Sequence, residues 1–295
     1  MNNIKRRRFI KSGIVSAIGV SAIGLGNSFY ISNETLVDKV QLGKTGLTVP
    51  RIAMGTGTVG YNNGSNQTRL GMDTFVKLAH HAYERGMRFY DMADGYGSHT
   101  YVREALKTLP RENITLLTKI STRAPGADNI EPVENALDRF RQETGSDYFD
   151  IVLMHGMSRG NWSETRKYYI DGLSKAKQNG IVKAVGISCH NLDALAEAAD
   201  SPWVDVILAR INPFQSNMDG APEAVSEILG KAQQNGKGVI GMKIFGQGEF
   251  VKDEERERSI RYALTQGNVH CMTLGLESIA QMDDAIERVM RAVQQ

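Results

Sequence analysis

Short apolar runs alternate with longer amphipathic stretches eight times along this chain, and that rhythm limits its fold more than any other feature. Residues 52–55, 87–91, 114–118, 151–154, 184–188, 206–209, 239–242 and 271–274 read as strands. Between them, apolar residues recur at three- and four-residue spacing, as in Phe75, Leu78, Ala79 and Ala82 or Val133, Ala136, Leu137 and Phe140, which marks helices with one buried face. Strands that alternate with helices build a parallel sheet. Eight such pairs predict a closed (β/α)8 TIM barrel. Ahead of them, VQLGKTGLTV at residues 40–49 sets two short apolar runs around a glycine-containing turn, the pattern of a β-hairpin. With 295 residues, 41% of them hydrophobic, one large core suffices, and the barrel domain is placed at residues 38–295.

The first 33 residues do not follow this rhythm. Lys5, Arg6, Arg7, Arg8 and Lys11 precede the first acidic residue, Glu34, so a formal net charge of +2 leaves −3 on the remainder of the chain. That balance argues against a general nucleic-acid surface. An apolar run rich in Gly, Ala and Ser follows at residues 14–25. It is shorter than the roughly 20 residues that cross a bilayer. The order Arg-Arg-x-Phe-Ile-Lys resembles a twin-arginine signal, which implies a leader over residues 1–33, the translocation machinery as a partner, and a periplasmic location. The alternatives are a basic arm followed by a loosely packed helix and, if the leader does not function, a cytoplasmic protein. Two cysteines, Cys189 and Cys271, make no disulfide framework and no metal site by themselves.

Three consecutive strands deliver a titratable side chain at their C-terminal ends: Asp91, Lys119 and His155. Tyr96 lies five residues after Asp91, in FYDMADGYG. Active sites of parallel barrels are built at this face. With the opening LGKTGLTVPRIAMGTG, GMRFYDMADGYG, LLTKIS, DIVLMHGM and VKAVGISCHN, these residues resemble the aldo-keto reductases over about residues 42–286.

The resemblance implies reduction of a carbonyl by hydride from NADP(H) or NAD(H), on a small aldehyde or ketone and without a metal. It also implies that the hairpin closes the bottom of the barrel. A developing alkoxide needs a proton donor and nearby positive charge. Tyr96 is the candidate acid, Lys119 the group expected to lower its pKa, and Asp91 the anchor of Lys119. His155 has two readings, orientation of the substrate oxygen or a share in proton donation. A nucleotide-binding sensor or auxiliary subunit on the same barrel is the alternative function. A metal hydrolase fits poorly, because His80, His81 and His155 lack a ligand set.

A separate dinucleotide-binding domain is not indicated, so the barrel itself must hold the nucleotide. The resemblance brings Gly55 and Thr56, the pair Ser188 and Cys189, the segment Met242, Lys243, Phe245, Gly246 and Gly248, and then Gly275, Glu277 and Ser278 to the cofactor. Cys189 replaces an asparagine of the family pattern, Met242 an aromatic residue, and Glu277 stands where NADP-dependent members carry basic groups. Arg210, also assigned to the cofactor, has further readings as a clamp on an anionic substrate or an ion pair with a strand-end carboxylate. Ser278 with Gln281 equally reads as a helix cap. Trp162 is read as a pocket wall or a helix anchor, and residues 61–72 as a flap or a simple connection.

Overall fold

A computed structural model describes residues 37–123 and 130–294. The expected leader at residues 1–33 lies outside the described residues. The described chain begins with β1 (Lys39–Gln41) and β2 (Thr48–Pro50), an antiparallel hairpin, then β3 (Ile52–Gly55). There follow α1 (Asn66–Arg69), α2 (Met72–Glu84), β4 (Phe89–Asp91), α3 (His99–Leu106), β5 (Thr115–Ser121), α4 (Val133–Thr144), β6 (Phe149–Met157), α5 (Trp162–Thr165), α6 (Lys167–Gln178) and β7 (Val182–Cys189). The chain ends with α7 (Leu192–Asp200), β8 (Val206–Arg210), α8 (Pro222–Gln234), β9 (Gly238–Met242), α9 (Asp253–Thr265), β10 (Cys271–Gly275) and α10 (Ile279–Val293).

Strands β3 to β10 pair in parallel in sequence order, and β10 returns to β3 through Met272 opposite Ile52, so the barrel closes. Side chains of period two split into two layers. Ala53, Phe89, Leu117, Leu153, Leu208 and Ile240 fill the interior, while Ile52, Met54, Tyr90, Leu116 and Val152 face the helices. Leu42 and Val49, both fully buried, add the hairpin to the interior cluster. Lys44 N–H donates to Gly236 O at 2.8 Å and ties the hairpin turn to the residues leading into β9, at the N-terminal end of the barrel. The hairpin therefore plugs the bottom and leaves the opposite end open.

Strand limits differ from the sequence reading in instructive ways. β4 is shorter, because Met87 N–H closes the turn after α2 on Ala82 O. β6 runs on past Met154 by a shift of register before Met157, and β5 runs on to Ser121, so Lys119 lies within its strand. Trp162 is an anchor: it is buried, its indole N–H donates to Ala194 O at 3.1 Å, and its ring meets Trp203.

Candidate active site

The side chains at the open end, four polar and one a methionine, continue the apolar interior stripe by two residues. Asp91 follows Phe89, Lys119 follows Leu117, His155 follows Leu153, Arg210 follows Leu208, and Met242 follows Ile240. Period two therefore sends each into the barrel mouth above a dry core. Lys119 is 1% exposed and its ammonium donates to the Asp91 carboxylate and, at 2.8 Å, to Met92 O. Burial works against the ammonium, but Asp91 and then Tyr96 outweigh it, and the Lys119 pKa is raised.

Tyr96 comes from the turn after β4. Its ring lies with the Lys119 ammonium 4.9 Å from the centroid, and its hydroxyl is 3.5 Å from His155 Nε2. The ring rests on bare backbone: a Cβ on Gly57 would stand 2.1 Å from Tyr96 Cε2, and one on Gly60 2.4 Å from Cδ1. From outside, Arg139 of α4 grips the same turn, with Nη1 2.8 Å and Nη2 3.2 Å from the two oxygens of Asp94. Glu143 on α4 adds a second tie, accepting at 2.7 Å from His99, whose other ring nitrogen meets Thr118 Oγ1 at 2.7 Å, next to Lys119.

Burial raises the Tyr96 pKa; Lys119 pulls it down and Asp91 pushes it up. The net direction is upward, the reverse of the sequence expectation, because loss of water around the phenol exceeds the help from an ammonium that Asp91 already neutralises. The phenol keeps its proton. His155 is pushed down to about 3 by burial first and then by Lys119, His190 and Lys243, so its ring is neutral at pH 7. A neutral ring can orient an oxygen but is no acid of its own. That favours the orienting reading of His155.

A cleft of about 340 Å³ begins at Asp91, Lys119 and Tyr96 and runs between the ends of β9 and β10 to Glu277, Gln281 and Asp284. Of the residues assigned to a cofactor from sequence, Gly55, Met242, Lys243, Phe245, Gly248, Gly275 and Glu277 are on its wall. Others are not. Thr56 is fully buried, and its hydroxyl is committed to Asp91 O and Ser98 Oγ, both at 2.8 Å. Cys189 follows Val185 and Ile187 into the outer layer, where burial holds its thiol protonated well above the usual range. Ser188 is buried and accepts from Gly156 N–H at 3.3 Å. Gly246 turns the chain at φ +56° with Phe250 packed against it. Ser278 caps α10 by accepting from Gln281 N–H at 3.2 Å, and Gln281 in turn accepts from Glu277 N–H at 2.8 Å. Arg210 forms the ion pair, with Asp219 at 3.2 Å, and lies off the cleft wall.

Residues the sequence reading missed complete the wall. Asn66, Gln247, Arg256, Thr273 and Asp284 line it, and Asn66 Nδ2 donates to Glu277 at 2.7 Å, tying the 61–72 segment to the loop after β10. Thr273 Oγ1 and Arg256 Nε are buried there without partners among the described residues. Two idle polar atoms and a glycine-lined wall suit a polar, extended ligand such as a nicotinamide dinucleotide. Among the described residues no group of three or more His, Cys, Asp or Glu is placed to hold a metal ion.

Comparison with known proteins agrees with this fold. The chain is 27% identical over 219 residues to the NADH-specific methylglyoxal reductase of Escherichia coli, covering 67% of this chain and 64% of that one. It is 23% identical to the L-galactose dehydrogenase of Arabidopsis thaliana, covering 86% and 89%. The solved holo form of an aldo-keto reductase from Bacillus halodurans superposes with a TM-score of 0.66 at 20% identity, over 88% of this chain and 91% of that one. An aldo-keto reductase structure from Pseudomonas aeruginosa does so with 0.69 at 19%, over 86% and 95%. The sequence model of the Aldo/keto reductase family matches residues 51–292, and the chain belongs to that family of oxidoreductases.

Proposed function

We propose that this protein reduces a small aldehyde or ketone to the alcohol, with Tyr96 as the general acid. The observation that carries the reading is the protonated Tyr96 phenol seated on the buried Lys119–Asp91 pair at the inner end of the cleft. Gly55, Met242, Gly248, Gly275 and Glu277 would hold a reduced nicotinamide nucleotide, which would supply the hydride. The chain's own residues manage the proton and the charge. Tyr96 gives its proton to the carbonyl oxygen as negative charge develops there. Lys119 stabilises the phenolate left behind, and Asp91 fixes the ammonium without removing its field at the ring. His155, neutral, holds the oxygen next to Tyr96.

NADH is the preferred cofactor in this proposal. Glu277 sets a carboxylate on the outer cleft wall with the Asn66 amide as its partner, while Asp284 there is paired with Arg288 at 2.8 Å and Arg256 with Asp253 at 2.5 Å. A 2′-phosphate would meet the carboxylate of Glu277, which no cation pairs among the described residues, whereas ribose hydroxyls can donate to it. The E. coli relative named as NADH-specific supports this choice. Export by residues 1–33 is proposed on the basic-apolar pattern alone.

Purified protein should oxidise NADH against a broad aldehyde panel and do so less well with NADPH. Tight nucleotide binding with no turnover on any carbonyl would instead favour the sensor reading.

A further inference from the structure

The catalytic residues come from β4, β5 and β6, but the other half of the mouth is as heavily charged. Consecutive ends of β7, β8 and β9 deliver His190, Arg210 and Lys243, and Arg210 is the register partner of Met242, the residue before Lys243. The His190 ring stands 6.3 Å from that of His155, which touches the Tyr96 hydroxyl. These groups therefore border the space where the rest of a carbonyl substrate must lie.

Charge in this half does not balance. Lys119 is neutralised by Asp91, and Arg210 by Asp219. Lys243 lines the cleft with Tyr96 and Lys119, yet among the described residues its ammonium donates, at 2.9 Å, only to Gln247 Oε1, an uncharged amide. The Arg210 pair is itself incomplete: Asp219 meets one end of the guanidinium, while Arg210 Nε and Asp219 Oδ2 are buried with no partner among the described residues. His155 and His190, at about 3 and about 4, add no charge at pH 7. Burial, then Arg210 and Lys119, lower the Lys243 pKa, as expected for a cation that wants an anion. Half-buried at the mouth, it would gain from a single negative charge more than a surface lysine does.

Building on the reductase reading, we propose that the substrate is a monoanionic carbonyl compound, an aldehyde or ketone that also carries a carboxylate, with Lys243 and the free Nε–H edge of Arg210 as its specificity-determining residues. The carboxylate binds between β8 and β9 and points the carbonyl toward Tyr96 and His155. The reaction balances as for any aldehyde: hydride adds to the carbonyl carbon, the Tyr96 proton goes to the oxygen, and the carboxylate is unchanged.

Succinic semialdehyde and butanal test this, since both are four-carbon aldehydes and only one is charged. The expected kcat/KM for succinic semialdehyde is about tenfold or more above that for butanal, from one charge-assisted contact. Lys243→Gln and Arg210→Gln should each erase most of that ratio while leaving butanal reduction and the NADH dissociation constant unchanged. Equal use of the two aldehydes overturns the proposal, as does a Lys243→Gln variant that loses NADH affinity and keeps the ratio, which would give Lys243 to the cofactor pyrophosphate. Calorimetric binding of succinate to the NADH-loaded protein reads the site without turnover. Saturable binding lost in Lys243→Gln supports the anion site even if no carbonyl is reduced, and absent binding overturns it; a failure of the reductase reading alone would show as succinate binding with no turnover of either aldehyde.

Discussion

The buried pair of Lys119 and Asp91 lets stability and chemistry be pulled apart. In Asp91→Asn the ammonium, 1% exposed, loses the one carboxylate that meets it among the described residues and keeps Met92 O at 2.8 Å. Stranding one member of a buried ion pair costs about 3–5 kcal/mol. At about 2–4 °C per kcal/mol for a domain of this size, the melting temperature should fall by roughly 6–20 °C. Removing both charges should behave differently, because an apolar side chain of similar length fills the same space without desolvating an ion. Asp91→Asn/Lys119→Met is therefore expected to recover most of the lost stability and none of the activity. Thermal melts and urea midpoints of the parent, the single and the double variant, alongside NADH oxidation, make the comparison. A single variant as stable as the parent, or a double variant no more stable than the single, would refute the reasoning.

Other outcomes follow from the same geometry. Gly57→Ala puts a Cβ where Tyr96 Cε2 would be 2.1 Å away, so the ring must move, and kcat/KM should drop about 100-fold with little change in melting temperature. Arg139→Ala frees Asp94 on the Tyr96 turn and should lower kcat about tenfold without affecting NADH affinity; Arg139→Lys should rescue only part, since one ammonium cannot span both carboxylate oxygens. Acid should destabilise the fold, because His155 and His190, at about 3 and about 4 when folded against about 6.5 unfolded, take up protons first in the unfolded chain. Stability is present above pH 6.5 and declines as pH falls through this window, by at most about 1.4 kcal/mol per pH unit for each histidine, and His155→Gln should reduce the slope of urea midpoint against pH.

Much of the barrel was legible because its signal is local and repeated. Leu117 and Lys119, or Leu153 and His155, lie two apart in sequence and so on one face of a strand, which places the candidate catalytic groups without any tertiary knowledge. The same rule, applied one residue along, marks where the reading slipped. Cys189 shares the outward face of Val185 and Ile187, so a family position was given to a side chain that points away from the mouth. Other features have no local signature. Asn66, Arg256 and Asp284 line one cleft with Glu277 only because α1, α9 and α10 converge near the loop after β10. The direction of the Tyr96 shift depends on how much water the phenol loses against how far Asp91 offsets Lys119, a balance set by burial.

The central claim is that Tyr96, as a protonated phenol on the Lys119–Asp91 pair, donates the proton in carbonyl reduction. Its most direct test is Tyr96→Phe, which removes one oxygen and keeps the ring on Gly57 and Gly60. Single-turnover oxidation of bound NADH by an aldehyde the parent reduces should slow about 100- to 10,000-fold, with the NADH dissociation constant unchanged. Turnover at the parental rate would contradict the claim.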